Sequence, residues 1–156
     1  MILKCWINEK PVTADISPDM ALLEFVRSQG CYSVKRGCET SNCGLCTVWV
    51  EGTPVLSCSM PAMRAEGKHV TTLEGLQKEA EEFAGFLGNE GAEQCGFCSP
   101  GFVMNVLALV RELEAPTEEE MKEYLAGNLC RCTGYVSQLR AIKKYLEWKR
   151  TQEGEK

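Results

Sequence analysis

The sequence predicts an α+β protein whose strands come first along the chain and whose helices follow. Short segments of apolar and polar alternation, separated by turn residues, fill the first half of the 156 residues. Apolar residues at helical spacing dominate the second half, after a change in pattern near residues 74–76. Strands followed by helices are typical of α+β folds and of separate domains. We therefore expect two small domains, over 1–74 and 75–150, and a polar tail at 151–156.

Five short strands and one helix are predicted in the first half. The first two strands flank a polar turn at 8–10, as in a hairpin. The helix prediction depends on Ser17, a preferred N-cap residue, and on Pro18 at the first helical position. Gly30 is typical of the residue that follows a helix end. The predicted strands are 2–7, 12–16, 47–50, 54–57 and 70–73.

Four helices are predicted in the second half. The one that opens at Ser99 is apolar on more than one side, so we expect it to be buried. Thr117 and Glu120 have the spacing of a capping box, and Gly127 would end that helix. Ser137 is suited to cap the last helix. The predicted helices cover 76–86, 99–113, 117–127 and 137–149.

The composition limits the classes of partner and the location. The net charge of −5 and the pI near 5.1 argue against nucleic acid or an anionic membrane surface as partner. No apolar run approaches the roughly 20 residues of a membrane-spanning helix, and the first ten residues have no signal-peptide pattern. We expect a cytoplasmic protein that binds neither nucleic acid nor membrane. His69 is the only histidine, and without a nucleophile–histidine pair we expect no catalytic residue.

Eight of the ten cysteines form two groups of four. The first three members of the first group follow the pattern C-x4-C-x2-C, which is the spacing of ferredoxins that hold a 2Fe–2S cluster through four thiolates. The second group combines C-x2-C with C-x-C. Two such groups indicate a protein that stores and passes single electrons. The first group is Cys38, Cys43, Cys46 and Cys58; the second group is Cys95, Cys98, Cys130 and Cys132.

Disulfides and zinc are the alternatives to iron. Thiols stay reduced in a cytosolic protein, and Cys130 and Cys132 are too close in sequence to bridge each other without strain. Zinc is the stronger alternative, because two C-x2-C pairs resemble the halves of an all-thiolate zinc site. That pairing leaves four cysteines without a role, but thiolate sites bind zinc and iron–sulfur clusters alike. A zinc-stabilised binding module without redox activity therefore stays open.

Small residues between the ligands agree with a chain that wraps closely around a cluster. Gly37 and Gly44 allow this approach, and Asn42 is the non-glycine type that best tolerates positive φ. The second group is expected at helix ends, where N-terminal N–H groups stabilise thiolate. The two remaining cysteines, Cys5 and Cys31, are expected to pack as small apolar residues.

Three segments carry a resemblance to a known family. They are 37–48 (GCETSNCGLCTV), 94–101 (QCGFCSPG) and 129–135 (LCRCTGY). Together they resemble the iron–sulfur subunit of molybdenum hydroxylases, the xanthine dehydrogenase and aldehyde oxidoreductase family, and the likeness covers roughly 2–148. Departures are Asn42, where the family usually has glycine, Leu45, where it often has alanine, and the stretch 134–139.

The resemblance implies a fold, two cofactors and two partners. It implies a β-grasp ferredoxin-like domain over 1–74 and a four-helix-bundle domain over 75–150, each binding one 2Fe–2S cluster through one cysteine group. It implies an oxidoreductase complex in which a molybdopterin-binding large subunit passes electrons through both clusters to an FAD-binding medium subunit. Gln94 and Cys132 are the residues that the resemblance brings close to the pterin. A free-standing ferredoxin is the competing interpretation, although a simple shuttle needs only the first half of the chain.

Overall fold

A five-stranded sheet and five helices make up residues 1–154, the part of the chain that this computed structural model describes. The strands are β1 (Ile2–Ile7), β2 (Lys10–Asp15), β3 (Thr47–Val50), β4 (Thr53–Leu56) and β5 (His69–Thr71). The helices are α1 (Leu22–Ser28), α2 (Gln77–Asn89), α3 (Ser99–Glu112), α4 (Glu118–Tyr124) and α5 (Val136–Gly154). In this described part, no helix has both the length and the apolar character that a membrane crossing requires.

The sheet is mixed, with strand order β2-β1-β5-β3-β4. Both predicted hairpins are confirmed, and their turns contain residues with positive φ, Asn8 and Glu9 in one and Glu51 and Gly52 in the other. Such turns match the twist of the strands that they connect. β5 then lies between β1, to which it is parallel, and β3, to which it is antiparallel. Because β3 and β4 are antiparallel, with Thr47 opposite Leu56, the loop before β3 and the turn after β4 lie side by side at the same end of the sheet.

The predicted start of the first helix is wrong. α1 begins at Leu22, with Ala21 in extended conformation at its N-cap, and Ser17 does not cap it. Instead the carbonyl of Ser17 accepts the Met20 N–H (3.1 Å) in a turn. Ala21 forms an isolated bridge with Pro61, and this pairing holds the backbone extended until Leu22. A tertiary contact therefore overrides a local signal that favours an earlier helix start.

The helical half agrees closely with its predicted elements. α3 is the most buried of these helices, as its apolar sequence predicts. α4 has the predicted capping box between Thr117 and Glu120 but ends at Tyr124, before Gly127. α5 begins at Val136 and not after Ser137, and it continues to Gly154. Residues 151–154 of the predicted tail are thus helical, and its last two residues lie outside the described part.

Trp49 connects the sheet to the helices. Its side chain is 1% exposed and belongs to the apolar core formed by the helices, although β3 is a sheet strand. The indole N–H donates to the carbonyl of Met104 in α3 (3.1 Å), and the Arg111 guanidinium lies 4.3 Å from the ring centroid. This contact fixes β3 against α3. Because Cys46 directly precedes β3 and Cys98 directly precedes α3, it also brings the two cysteine groups together.

Thr117→Ala is expected to destabilise the chain by about 1 kcal/mol, because it removes the acceptor for the Glu120 N–H at the start of α4. Ser17→Ala is the matched control, since Ser17 is exposed and caps no helix. The control is expected to change stability by less than about 0.5 kcal/mol. Urea unfolding of both variants measures the difference, and equal losses would contradict the assignment of the cap.

Candidate metal centres

The first cysteine group comes from two segments of the sheet half. Cys38, Cys43 and Cys46 lie on the loop between α1 and β3, and Cys58 lies in a 3₁₀ turn directly after β4. The N–H and hydroxyl of Ser57 both donate to the carbonyl of Cys46, at 3.3 Å and 2.6 Å. These bonds hold the two segments together, so that the thiols face each other in two pairs. The pairs are Cys38 with Cys43, and Cys46 with Cys58.

The backbone favours a thiolate at one member of the first group. N–H groups of Asn42, Thr40 and Cys43 point at the Cys38 sulfur and lower the pKa of that thiol to about 6. Burial, with the nearby Cys58 thiol, raises the pKa of Cys46 to about 11. Burial also raises the pKa of Cys43. A bound metal cation deprotonates a coordinating thiol outright, so the buried thiols are suited to ligation and the N–H groups to offsetting the resulting negative charge.

Two glycines allow the first group to be this compact. A Cβ on Gly37 would lie 2.6 Å from Leu45 Cδ2 and 3.3 Å from the Cys43 sulfur. Gly44 has φ +75°, and its Cβ would lie 2.4 Å from the carbonyl oxygen of Gly127. Gly44 therefore excludes a side chain, whereas a side chain at Gly37 would require the end of the Leu45 side chain to move.

The expectation of positive φ at Asn42 is wrong. The left-handed residue is its neighbour Ser41, with φ 58°. Asn42 instead accepts a hydrogen bond from the Thr40 hydroxyl (3.0 Å) through its side-chain oxygen. The Ser41 hydroxyl lies 2.5 Å from the Ser59 hydroxyl and 3.9 Å from the Cys58 sulfur. The turn thus orients a hydroxyl toward a thiol of the first group.

The second cysteine group lies where three helices meet. Cys95 and Cys98 precede α3, with Cys98 at its N-cap, and Cys130 and Cys132 lie between α4 and α5. The sulfurs of Cys132 and Cys95 are 3.6 Å apart, and the thiols of Cys98 and Cys130 form a second hydrogen-bonded pair. Cys95 and Cys132 are exposed, whereas Cys98 and Cys130 are partly buried. The group therefore has an outer pair and an inner pair.

Burial and nearby hydrogen-bond donors shift the pKa values of the inner pair in opposite directions. Burial, followed by the contact with Cys130, raises the pKa of Cys98 to about 11, so its helix N-cap position does not dominate as expected. Burial also acts to raise the pKa of Cys130, but hydrogen bonds from the hydroxyl and N–H of Thr133 outweigh it and lower the pKa. The Thr133 hydroxyl lies 3.2 Å from the Cys130 sulfur. One thiol of the pair is thus favoured as thiolate and the other as thiol.

The two groups share one cavity of about 480 Å³. Cys38 and Cys43 of the first group line it together with all four cysteines of the second group and with Arg131. The Leu129 N–H donates to the carbonyl of Cys43 (2.9 Å), so the loop of the first group is hydrogen-bonded to the residue that precedes Cys130. Gln94 is exposed and directly precedes Cys95 in the sequence.

The donor set fits two dinuclear iron–sulfur sites. In the part of the chain that the structure describes, no three His, Cys, Asp or Glu side chains converge on one metal ion position. The thiols stand instead in pairs, and each iron of a 2Fe–2S cluster takes two protein ligands. Cys5 and Cys31 are buried in the sheet core, 2% and 5% exposed, which confirms their expected packing.

Sequence reasoning missed three residues that lie where the two groups meet. Asn128 is buried between them, accepting from Asn105 Nδ2 (2.6 Å) and donating to the carbonyl of Gly101 (3.4 Å). A Cβ on Gly101 would lie 2.3 Å from the carbonyl oxygen of Gly44. Gln138 lines a narrow crevice with the inner pair. Their closeness in sequence to the cysteines was the available signal, but their contacts depend on the tertiary fold.

Comparison with known families covers both halves of the chain. Residues 6–82 match a family described as a 2Fe-2S iron-sulfur cluster binding domain. Residues 72–143 match a second family, described as a [2Fe-2S] binding domain. Each match contains one complete cysteine group.

Individual relatives match over most of their length. The xanthine dehydrogenase iron-sulfur-binding subunit of Escherichia coli O157:H7 is 45% identical over 137 residues, covering 85% of this chain and 86% of that protein. The nicotinate dehydrogenase small FeS subunit of Eubacterium barkeri is 40% identical over 134 residues and covers 83% and 85%. Among solved structures, quinoline 2-oxidoreductase from Pseudomonas putida 86 aligns with a TM-score of 0.88 at 35% identity. That alignment covers 97% of this chain and 96% of that chain.

Proposed function

This chain belongs to the iron–sulfur subunits of the xanthine dehydrogenase family, and we propose that it relays electrons between two partner subunits of a molybdenum-dependent hydroxylase. The donor is a molybdopterin-binding large subunit and the acceptor an FAD-binding medium subunit. Relatives that are themselves subunits of xanthine and nicotinate dehydrogenases support this assembly. The chain is the iron–sulfur component of an oxidoreductase and has no hydroxylation site in this proposal.

The two cysteine groups are the proposed ligands of two 2Fe–2S clusters. Cys38, Cys43, Cys46 and Cys58 would hold one, and Cys95, Cys98, Cys130 and Cys132 the other. When bound, each cluster stores one electron and releases it again. The chain itself must offset the added negative charge. Backbone N–H groups at Cys38 and the Thr133 hydroxyl at Cys130 are already oriented for this task.

One observation carries the proposal of a relay. The Leu129 N–H donates to the Cys43 carbonyl at 2.9 Å, and Leu129 directly precedes Cys130 in sequence. A ligand of each proposed cluster is therefore joined to the other through backbone bonds and one hydrogen bond. Electronic coupling falls off less steeply through such bonds than across empty space. A chain that held two unrelated metals would not require this connection.

The exposed surface around Cys95 and Cys132, which we call the rim of the second group, is the proposed contact with the large subunit. Gln94 and Cys132 are both exposed there, and we propose that they approach the pterin. Exposed large apolar side chains lie close in sequence to these two residues, and Phe97, Leu129 and Tyr135 line the same cavity as Cys132. These are Phe97 (51% exposed), Leu129 (47%), Tyr135 (46%) and Val136 (64%). Electrons would enter at the second group and leave through the first.

The domain assignment follows the two apolar cores. One core lies in the sheet half, and the other joins the helices with Trp49. We propose a β-grasp ferredoxin-like domain over 1–74 and a four-helix-bundle domain over 75–150, formed by α2 to α5. The domain boundary after residue 74 and the four-helix bundle are predictions. We propose a reducing, cytoplasmic location, where the thiols of both groups stay available for iron.

Affinity purification of the tagged chain from its native host tests the proposal. We expect molybdenum, pterin and FAD to co-purify in stoichiometric amounts with the chain. A chain recovered with iron but without molybdenum or flavin would contradict the relay and would favour a free-standing ferredoxin. The rim variant Val136→Asp provides the control, because a charge on the exposed apolar surface should release the large subunit and leave the iron content unchanged.

A further inference from the structure

Gln138 is a buried polar side chain without a protein partner. Five polar residues are buried in the described part of the chain, and Gln138 is 5% exposed. Thr47, Ser57, Thr72 and Asn128 each hydrogen-bond a protein atom through their side chains. No side-chain hydrogen bond between described residues involves Gln138. Its primary amide has two N–H donors and one acceptor, and the described protein atoms leave this hydrogen-bonding capacity unused.

Gln138 lies between a groove and a crevice. The groove, of about 500 Å³, is lined mostly by apolar side chains such as Met121 and Ile142. Gln138 lies in the first turn of α5 and lines a narrow crevice together with Cys98 and Cys130, the inner pair of the second group. Asn128 lines the same crevice, but its amide is engaged by Asn105 and Gly101. The other crevice side chains are Leu45, Phe102 and Leu129, which are apolar, and Cys43. Among the side chains that line the crevice, cysteine sulfur is therefore the acceptor that is left for Gln138.

We propose that the side-chain N–H of Gln138 donates a hydrogen bond to a sulfur of the cluster held by the second group and raises its reduction potential. This inference rests on the proposed function. Reduction adds one negative charge to the cluster, and a donor stabilises that charge more in the reduced form than in the oxidised form. The hydrogen bond from Gln138 thereby shifts the electron toward the cluster of the second group and away from that of the first.

The test compares variants that keep the volume and remove the donor. One electron shared between the two clusters distributes according to an equilibrium constant. In Gln138→Leu and Gln138→Met, this constant is expected to change about tenfold in favour of the first cluster. For a one-electron couple this corresponds to a drop of about 59 mV at the second cluster. Redox titration followed by electron paramagnetic resonance measures both clusters in one sample, so the first cluster is an internal reference. Gln152→Leu, exposed on the same helix, is expected to shift neither potential.

A labelling experiment separates the glutamine from a bound water. In unmodified protein with ¹⁵N in its glutamine side chains, the reduced second cluster is expected to show a ¹⁵N hyperfine coupling that Gln138→Leu abolishes. Absence of this coupling in the unmodified protein, or unchanged potentials in both variants, would overturn the role of Gln138. Iron and sulfide are measured in the same samples. A second group without iron in the unmodified protein would instead contradict the proposed function.

Discussion

Cys130→Ala is expected to remove one cluster and to spare the other. The substitution removes a proposed ligand from the second group, so iron should fall from about four to about two per chain. The remaining paramagnetic signal after reduction should be that of the first group. The reason is that the two groups share no ligand, although the backbone of Cys43 is bonded to that of Leu129. Metal analysis and spectroscopy of the reduced variant measure the effect.

The reciprocal variant and a matched control make this result specific. Cys43→Ala should remove the other signal and keep the one that Cys130→Ala loses. Cys31→Ala removes a buried thiol that belongs to neither group, and it should leave both signals and the iron content unchanged. Loss of all iron in every variant would show instability of the fold, and retention of both signals in Cys130→Ala would contradict its role as a ligand.

Gly101→Ala is expected to destabilise the chain by about 1–3 kcal/mol, against the usual trend for helices. Alanine within a helix is normally favoured over glycine by about 1 kcal/mol. Here the added Cβ would lie 2.3 Å from the Gly44 carbonyl oxygen and 2.8 Å from Leu45 Cα. Both contacts are with backbone, which cannot rotate away. The helix and the loop of the first group must therefore separate.

Gly85→Ala is the control for this prediction. Gly85 lies in α2 and is exposed, and a Cβ there has no heavy atom within 4 Å. The substitution is expected to stabilise the chain by up to about 1 kcal/mol. Chemical unfolding of the two variants should thus give shifts of opposite sign. Shifts of the same sign would contradict the close contact between α3 and the loop of the first group.

The sequence predicted those features that depend on local chemistry. The capping box at Thr117, the buried character of α3 and both hairpins follow from a few neighbouring residues, and the structure confirms them. The grouping of the cysteines also follows from spacing alone. The helix start at Ser17 failed, because the pairing of Ala21 with Pro61 involves residues 40 positions apart. Local propensity is overridden where such tertiary contacts form.

The contact between the two cysteine groups could not be predicted from the sequence, because it also depends on residues that are far apart along the chain. Gly44 and Gly101 are separated by 57 positions, and nothing in their local sequence indicates that their backbones touch. Trp49 has the pattern of a strand residue, yet its indole packs on α3 and not in the sheet core. Gly44 was expected to let the chain wrap closely around a cluster, and its positive φ agrees with this role. Its lack of a side chain also allows residues of the helical half to approach the loop.

Iron and acid-labile sulfide, counted per chain in anaerobically purified protein, test the central claim most directly. Two groups of four thiols predict about four iron and about four sulfide, with two distinguishable signals after reduction. A colourless protein with stoichiometric zinc, or a chain with iron in one group alone, would contradict the account.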